Sequence, residues 1–98
     1  MTITRNISGN ELTIALEGRL DTTTAPELEK ALKESLDGMA ALTLDLEKLD
    51  YISSAGLRVL LSAHKAMAGK NGMTVKHVNE IVGEVFEVTG FSDILTIE

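Results

Sequence analysis

An alternation of apolar and polar residues near the start of the chain constrains the fold more than any other sequence feature. Over residues 11–18, Leu12, Ile14 and Leu16 alternate with polar or small residues, which is the period of a strand that buries one face. Residues 2–7 alternate more weakly, and turn-forming residues separate the two runs. The sequence therefore predicts that a β-hairpin opens the domain.

Helix and strand patterns alternate along the rest of the chain. The first helix is predicted to begin after Thr24, because Thr24 and Glu27 have the spacing of a capping box and Pro26 falls in the first turn. Asn79 is predicted to cap the third helix and Gly90 to end it. The elements predicted after the hairpin are helices over 25–36, 54–68 and 80–89, and strands over 42–46, 74–78 and 94–97.

The order ββαβαβαβ predicts an α/β fold. Strands separated by helices of this length need right-handed crossovers, so we expect a mixed, mostly parallel sheet with the helices packed on it. A length of 98 residues without an internal repeat or linker supports a single domain over 1–98. Functional groups in such sheets collect at the carboxyl ends of strands. Two junctions qualify, at residues 18–25 and 48–57, and we interpret 48–53 as a turn into the second helix.

Composition argues against several classes of function. Asp and Glu number 15 against 9 Lys and Arg, a formal net charge of −6, and aromatic residues make up only 3% of the chain. Nucleic-acid-binding surfaces instead use basic stripes and aromatic platforms. No apolar run approaches the ~20 residues that span a membrane, and the first residues do not form a signal peptide. We therefore expect a cytoplasmic protein whose partners are proteins or small ligands.

The two junctions hold polar residues that fit either a structural or a functional role. Ser53 and Ser54 lie at the start of the second predicted helix, where a serine hydroxyl commonly serves as the cap. The same position favours a phosphate, because free backbone N–H groups and the helix dipole attract anions. Gly56 fits either close packing of the helix on the sheet or the approach of another molecule. Asp21 fits either a solvated turn or a functional carboxylate near Ser54.

Three segments, in this order and spacing, resemble the STAS family, and within it the bacterial anti-sigma factor antagonists. They are Gly18-Arg19-Leu20-Asp21, the stretch LDYISSAGL at 49–57, and Val88-Thr89-Gly90-Phe91. The resemblance covers nearly the whole chain and implies the STAS fold. It also implies a protein that is phosphorylated on a serine by a kinase, and this kinase is itself the anti-sigma factor. A serine phosphatase then returns the protein to its unphosphorylated form. When unphosphorylated, such a protein binds the anti-sigma factor and frees the sigma factor for transcription.

Carried over by position, the resemblance assigns the phosphorylated position to Ser54. Ser53 stands where many relatives have Asp and is the second choice, while Asp21 matches an acidic residue at the end of the family's hairpin. Relatives commonly carry a further helix after the last strand, whereas this sequence stops at Glu98. We therefore expect that C-terminal helix to be missing and the domain to be a monomer or a weak dimer.

We expect unmodified Ser54 to be the centre of a partner-binding patch. Phosphorylation would add about −1.5 to −2 charges there and repel a carboxylate of the partner. Asp21 either adds to this negative field or orients the serine hydroxyl or a basic group of the partner, and the sequence leaves both open. The residues assigned to the patch are Asp21, Thr22, Ser53, Ser54, Gly56, Leu57 and Arg58.

The sequence does not predict an enzyme. A serine between a strand and a helix resembles a hydrolase nucleophile, but neither Ser53 nor Ser54 has a glycine two residues before it. His64 follows ten residues later on the same predicted helix, which is about 15 Å at 1.5 Å per residue and too far for a catalytic triad. His77 is interpreted as either a solvated edge residue or a core histidine. We expect no catalytic activity and no cofactor.

A metal site is not expected either. Asp45, Glu47 and Asp50 are spaced like loop ligands but lack the glycine and the bidentate glutamate of a calcium loop, so we favour a solvated acidic rim. An anionic ligand near Asp21 and Gly56 lacks the support of a glycine-rich phosphate loop. The alternative function that stays open is a STAS module that binds a protein or a small anion without control by phosphorylation.

Overall fold

Five strands form one sheet in which the order of the strands in space is their order in the chain. The computed structural model describes all residues from Met1 to Glu98. The first hairpin is antiparallel and the remaining neighbours are parallel, which confirms the predicted mixed α/β sheet. The strands are β1 (Thr2–Ser8), β2 (Glu11–Leu20), β3 (Ala41–Ile52), β4 (Met73–Lys76) and β5 (Thr96–Ile97).

Three α-helices connect the parallel strands. They are α1 (Ala25–Ser35), α2 (Ser54–Met67) and α3 (Glu80–Thr89), and a short 3₁₀ helix over Phe91–Asp93 precedes β5. The predicted order of elements is confirmed, and each predicted α-helix boundary is correct to within one residue. The predicted cap of α3 is also confirmed: the Asn79 side chain accepts a hydrogen bond from the Val82 amide at 2.8 Å, and Gly90 ends the helix at a φ of 82°. No helix combines the length and the apolar character needed to cross a membrane.

The core lies between the helices and one face of the sheet. Alternate residues of β2, β3 and β4 are buried, and they belong to one cluster with buried residues of all three helices. The other face of the sheet carries polar side chains and no helix. A row of these side chains lies in register across the strands, formed by Asn6, Thr13, Thr43, Thr74 and Thr96.

Strand β3 is longer than predicted. Residues 48–52 continue the strand, so the predicted turn over 48–53 is wrong. The strand pairs Ala15 with Asp45 but Glu17 with Lys48, and Gly18 with Leu49 but Arg19 with Tyr51. At each shift, β3 contains one more residue than the paired stretch of β2. Leu49 and Ile52 therefore lie on the buried face although they break the strict alternation.

Candidate functional site

The carboxyl ends of β2 and β3 bring the two polar junctions together. The Ser53 amide donates a hydrogen bond to the carbonyl of Leu20 at 2.9 Å, so the start of α2 is attached to the last residue of β2. Asp21 follows Leu20 directly and begins the turn into α1. The structure therefore places Asp21 and the two serines at one edge of the sheet.

Asp21 organises the turn that leads into α1. Its Oδ1 atom accepts hydrogen bonds from the Thr23 hydroxyl at 2.7 Å, the Thr23 amide at 3.0 Å and the Thr24 amide at 3.2 Å. The hydrogen bond from the Thr23 hydroxyl is the main cause that holds the pKa of Asp21 below its ordinary value. One carboxylate oxygen is thus committed to the turn, and no hydrogen bond joins Asp21 to either serine.

Thr24 does not form the predicted capping box. Its Oγ1 atom accepts a hydrogen bond from the Asp21 amide at 2.8 Å and donates one to the carbonyl of Arg19 at 2.7 Å, and its side chain makes no cap hydrogen bond to α1. The Asp21 carbonyl instead accepts the amide of Ala25 at 2.8 Å. The Thr-x-x-Glu spacing predicts the start of the helix correctly, but the hydrogen bonds of a capping box are absent. The preceding turn provides a nearer partner for the Thr24 hydroxyl.

Arg19 and Tyr51 form a contact that sequence analysis missed. The Arg19 guanidinium carbon lies 4.4 Å from the centroid of the Tyr51 ring, and Arg19 Nε lies 3.7 Å from Asp21 Oδ2. The two residues are direct neighbours in the register of β2 and β3. The sequence places Arg19 near the end of β2, which is the one signal for this contact. The two shifts in register between β2 and β3 cannot be read from the sequence, so the pairing of Arg19 with Tyr51 could not be predicted.

The two serines differ in accessibility. Ser53 holds the N-cap position of α2, and its carbonyl accepts a hydrogen bond from the Leu57 amide at 2.9 Å, yet its hydroxyl oxygen is buried and has no partner. Ser54 is the first residue of α2 and is exposed. Of the two serines, only Ser54 is therefore exposed at the surface. The predicted capping role of the serine hydroxyls is wrong for Ser53, which caps α2 with its backbone alone.

Gly56 and Leu57 face inward, which corrects two expected members of the partner-binding patch. A Cβ atom on Gly56 would lie 2.7 Å from Leu20 Cγ and 2.9 Å from Ile52 Cγ1, so the glycine serves close packing of α2 on the sheet. Leu57 is only 6% exposed and belongs to the core. Both residues pack the first turn of α2 against the sheet, because the inner face of an amphipathic helix must be buried.

A groove between the starts of α1 and α2 brings Thr22 and Arg58 together. Arg58 is exposed and is the one basic side chain that lines this groove. Glu29 lies in the same wall, and its carboxylate is 3.6 Å from Lys33 Nζ. The groove is lined by Thr22, Ala25, Pro26, Glu29, Ala55, Arg58, Val59 and Ser62. We call Thr22, Ser54, Ala55 and Arg58 the junction surface.

The acidic residues of β3, which are Asp45, Glu47 and Asp50, do not form a site for a metal ion. Asp45 Oδ1 lies 2.9 Å from His77 Nδ1, and this contact is the main cause that lowers the pKa of Asp45 and raises the pKa of His77. His77 lies just after β4, more than half exposed, at a φ of 59°. It is therefore a solvated edge residue rather than a core histidine. No group of three His, Cys, Asp or Glu side chains is arranged to hold a metal ion.

Comparison with known protein families gives one match over almost the whole chain. The family model described as "Mlab, STAS domain" matches residues 3–96. BtrV of Bordetella bronchiseptica, which is assigned as an anti-sigma factor antagonist, is 36% identical over an alignment of 99 positions that covers 99% of this chain and 85% of BtrV. The anti-sigma-B factor antagonist of Staphylococcus aureus is 30% identical over 86 residues, covering 86% of this chain and 80% of that protein.

Solved structures share the fold. An anti-sigma factor antagonist from Mycobacterium paratuberculosis superposes with a TM-score of 0.89 at 23% identity, over 98% of this chain and 83% of the other. The anti-sigma factor antagonist SpoIIAA in its unphosphorylated form has a TM-score of 0.76 at 13% identity, over 99% and 87%. The phosphorylated form of SpoIIAA from Bacillus also has a TM-score of 0.76, at 14% identity, over 99% and 91%.

Proposed function

This chain belongs to the STAS domain family, and we propose that it is an anti-sigma factor antagonist that is switched by phosphorylation of Ser54. In the unmodified state the junction surface binds an anti-sigma factor, which then releases its sigma factor for transcription. The anti-sigma factor is also the kinase, and a serine phosphatase hydrolyses the phosphoserine to restore binding. The proposal needs no catalytic residue and no cofactor in this chain.

The observation that carries the proposal is the difference between the two serines. Ser54 is exposed on the first turn of α2, whereas the hydroxyl oxygen of Ser53 is buried. In the proposed step the Ser54 oxygen attacks the γ-phosphorus of ATP, its proton passes to a base of the kinase, and ADP leaves. The names of the Bordetella and Staphylococcus relatives support the role of an antagonist, and the two phosphorylation states of SpoIIAA support control by phosphorylation.

The added charge is large enough to release a partner without a change in fold. A phosphoserine carries about −1.5 to −2 charges at neutral pH. A partner carboxylate about 6 Å away would be repelled by roughly 2–3 kcal/mol per pair of unit charges at an effective dielectric constant near 20, before salt screening. Since about 1.4 kcal/mol corresponds to a tenfold change in affinity, the loss is roughly 30- to 140-fold per pair.

Calorimetric titration with the anti-sigma factor kinase that the proposal requires as the partner tests the proposal. We expect Ser54→Ala to bind the kinase about as tightly as wild type, and Ser54→Asp to bind at least tenfold more weakly because it introduces a permanent negative charge. Ser8→Asp is the matched control, because exposed Ser8 ends β1 at the opposite end of the sheet. Equal affinity of Ser54→Asp and wild type would rule out the electrostatic switch.

Phosphorylation itself is tested by incubating the protein with this kinase and ATP and measuring the intact mass. We expect one added phosphate on wild type and on Ser53→Ala, and none on Ser54→Ala. Binding of the kinase without any added phosphate would support the alternative, a STAS module that binds its partner without this control. Phosphate on Ser53 would require the start of α2 to open, since that hydroxyl is buried.

A further inference from the structure

Arg58 differs from the other two arginines of the chain because its guanidinium has no partner. Arg5 contacts Glu34 at 3.3 Å and the Ser35 hydroxyl at 2.9 Å, and Arg19 lies over the Tyr51 ring. Arg58 makes no side-chain hydrogen bond or ion pair and is exposed beside the groove. An arginine fork without a partner is available to a carboxylate or a phosphate, which it can bind through two parallel N–H donors.

The spacing of Ser54 and Arg58 places them on the same side of α2. They lie four residues apart on one helix, and such pairs have Cβ atoms about 6 Å apart. A negative group placed four residues before a positive group is also the more favourable order along a helix. A phosphate on the Ser54 oxygen therefore comes within reach of the Arg58 side chain without any change in backbone.

Glu29 is the one carboxylate that lines the groove with Arg58, and it does not compete for the guanidinium. Its Oε1 atom lies 3.6 Å from Lys33 Nζ, one turn along α1, and no contact joins it to Arg58. The unmodified groove thus exposes one unpaired cation.

We propose that Arg58 binds the phosphate of phosphorylated Ser54 and that the same guanidinium binds an acidic residue of the partner when Ser54 is unmodified. Phosphorylation then acts on the junction surface twice, because it adds negative charge and removes the cation that attracted the partner. This inference rests on the proposed modification of Ser54, but the ion pair itself requires neither the kinase nor the partner.

The pair is tested on protein carrying phosphoserine at position 54, made by chemical ligation or by genetic encoding. A pH titration followed by ³¹P NMR measures the second pKa of the phosphate, which is about 6 for an unpaired phosphoserine. A neighbouring guanidinium favours the dianion and lowers this pKa. We expect Arg58→Gln to raise the second pKa by about 0.5 unit, which is the size expected for an exposed ion pair.

Lys65→Gln is the matched control, because it removes one positive charge from the same helix three turns away from Ser54. We expect this variant to leave the second pKa within about 0.1 unit of the parent, since exposed charges that far apart are screened. Equal second pKa values in Arg58→Gln and Lys65→Gln would overturn the ion pair. A pKa shift in Arg58→Gln alone supports the pair even if the partner proves to be another protein, so the two proposals fail separately.

The role of Arg58 in binding is tested on the unmodified protein with the kinase as the probe. We expect Arg58→Gln to weaken binding at least fivefold and Lys65→Gln to change it less than twofold. Unchanged affinity of Arg58→Gln, with normal binding by wild type, would overturn this half of the proposal while leaving Ser54 as the switch.

Discussion

Gly56 approaches Leu20 so closely that a Cβ atom on the glycine would lie 2.7 Å from Leu20 Cγ. Leu20 is the last residue of β2 and is fully buried, so this contact determines how near α2 begins to the end of the sheet. Ser54 lies two residues before Gly56, and Asp21 follows Leu20. The same contact therefore holds both polar junctions in place.

Gly56→Ala is expected to destabilise the domain. The added methyl group would overlap Leu20 and Ile52, and overpacking of this kind costs typically 1–3 kcal/mol, or roughly 4–8 °C in Tm per kcal/mol for a domain of this size. Urea unfolding measures the loss. Gly69→Ala is the control, because a Cβ atom at Gly69 meets open space and its φ is not positive, so its stability should be unchanged or slightly higher. Equal stability of the two variants would contradict the tight contact.

Asn79→Ala is expected to lower the free energy of unfolding by about 2 kcal/mol. The Asn79 side chain accepts from the Val82 amide at 2.8 Å and donates to the carbonyl of Leu49 at 2.7 Å, so it caps α3 and attaches it to β3. Loss of a helix cap alone costs about 1 kcal/mol. Asn79→Asp keeps the acceptor and loses the donor, so it should fall between wild type and Asn79→Ala in urea unfolding. Identical loss in both variants would assign the whole effect to the contact with Leu49.

Asp21→Ala is expected to destabilise the domain at neutral pH and to have a smaller effect in acid. Hydrogen bonds from Thr23 and Thr24 lower the pKa of the folded carboxyl below 3.8, so its contribution is present above that pH and is lost as the pH falls through the folded pKa. Thermal unfolding at pH 7 and pH 3 checks the direction. Asp37→Ala removes an exposed carboxylate without a side-chain hydrogen bond, and its effect should not show this decline.

His77 is expected to titrate above 6.5, because the Asp45 carboxylate stabilises its protonated form. Since the pKa is raised on folding, the pair contributes stability that is fully present below about pH 6.5 and is lost as the pH rises through the folded pKa. NMR titration of the imidazole measures the pKa. Asp45→Asn should lower it, whereas Glu47→Gln should lower it less because Glu47 acts only at longer range. Equal pKa values for His77 in wild type and Asp45→Asn would contradict the pair.

The order of helices and strands could be predicted from the sequence because each element follows its own period. Leu12, Ile14 and Leu16 alternate on β2, and the structure buries all three on the face that the helices cover. Asn79 and Gly90 marked the ends of α3 because their roles depend only on local backbone geometry.

The end of β3 could not be predicted by the same means. Glu47 and Lys48 are adjacent charged residues and both are exposed, which breaks the alternation, so the sequence predicts a turn there. The strand continues only because β2 tolerates the extra residues of β3, and that is a property of the pair of strands rather than of either one. The contact between Arg19 and Tyr51 was missed for the same reason.

The candidate site could be predicted in composition but not in orientation. Sequence position brought Asp21, Ser53 and Ser54 to one edge of the sheet, and the structure confirms this. The orientation of α2 about its own axis determines which serine hydroxyl is exposed. It also determines that Leu57 points into the core. That orientation depends on the contact of Gly56 with Leu20, a residue far from it in the sequence.

The Asp21 turn completes its hydrogen bonds within itself, through Thr23, Thr24 and the carbonyl of Arg19. A partner that docks beside it meets a loop whose conformational entropy was already lost during folding, so little further ordering opposes association. Free and bound backbones are then expected to differ by less than about 1 Å, as in other preorganised complexes. Regulation on such a rigid scaffold acts through charge rather than shape, so we expect it to slow association by long-range repulsion as well as to speed dissociation.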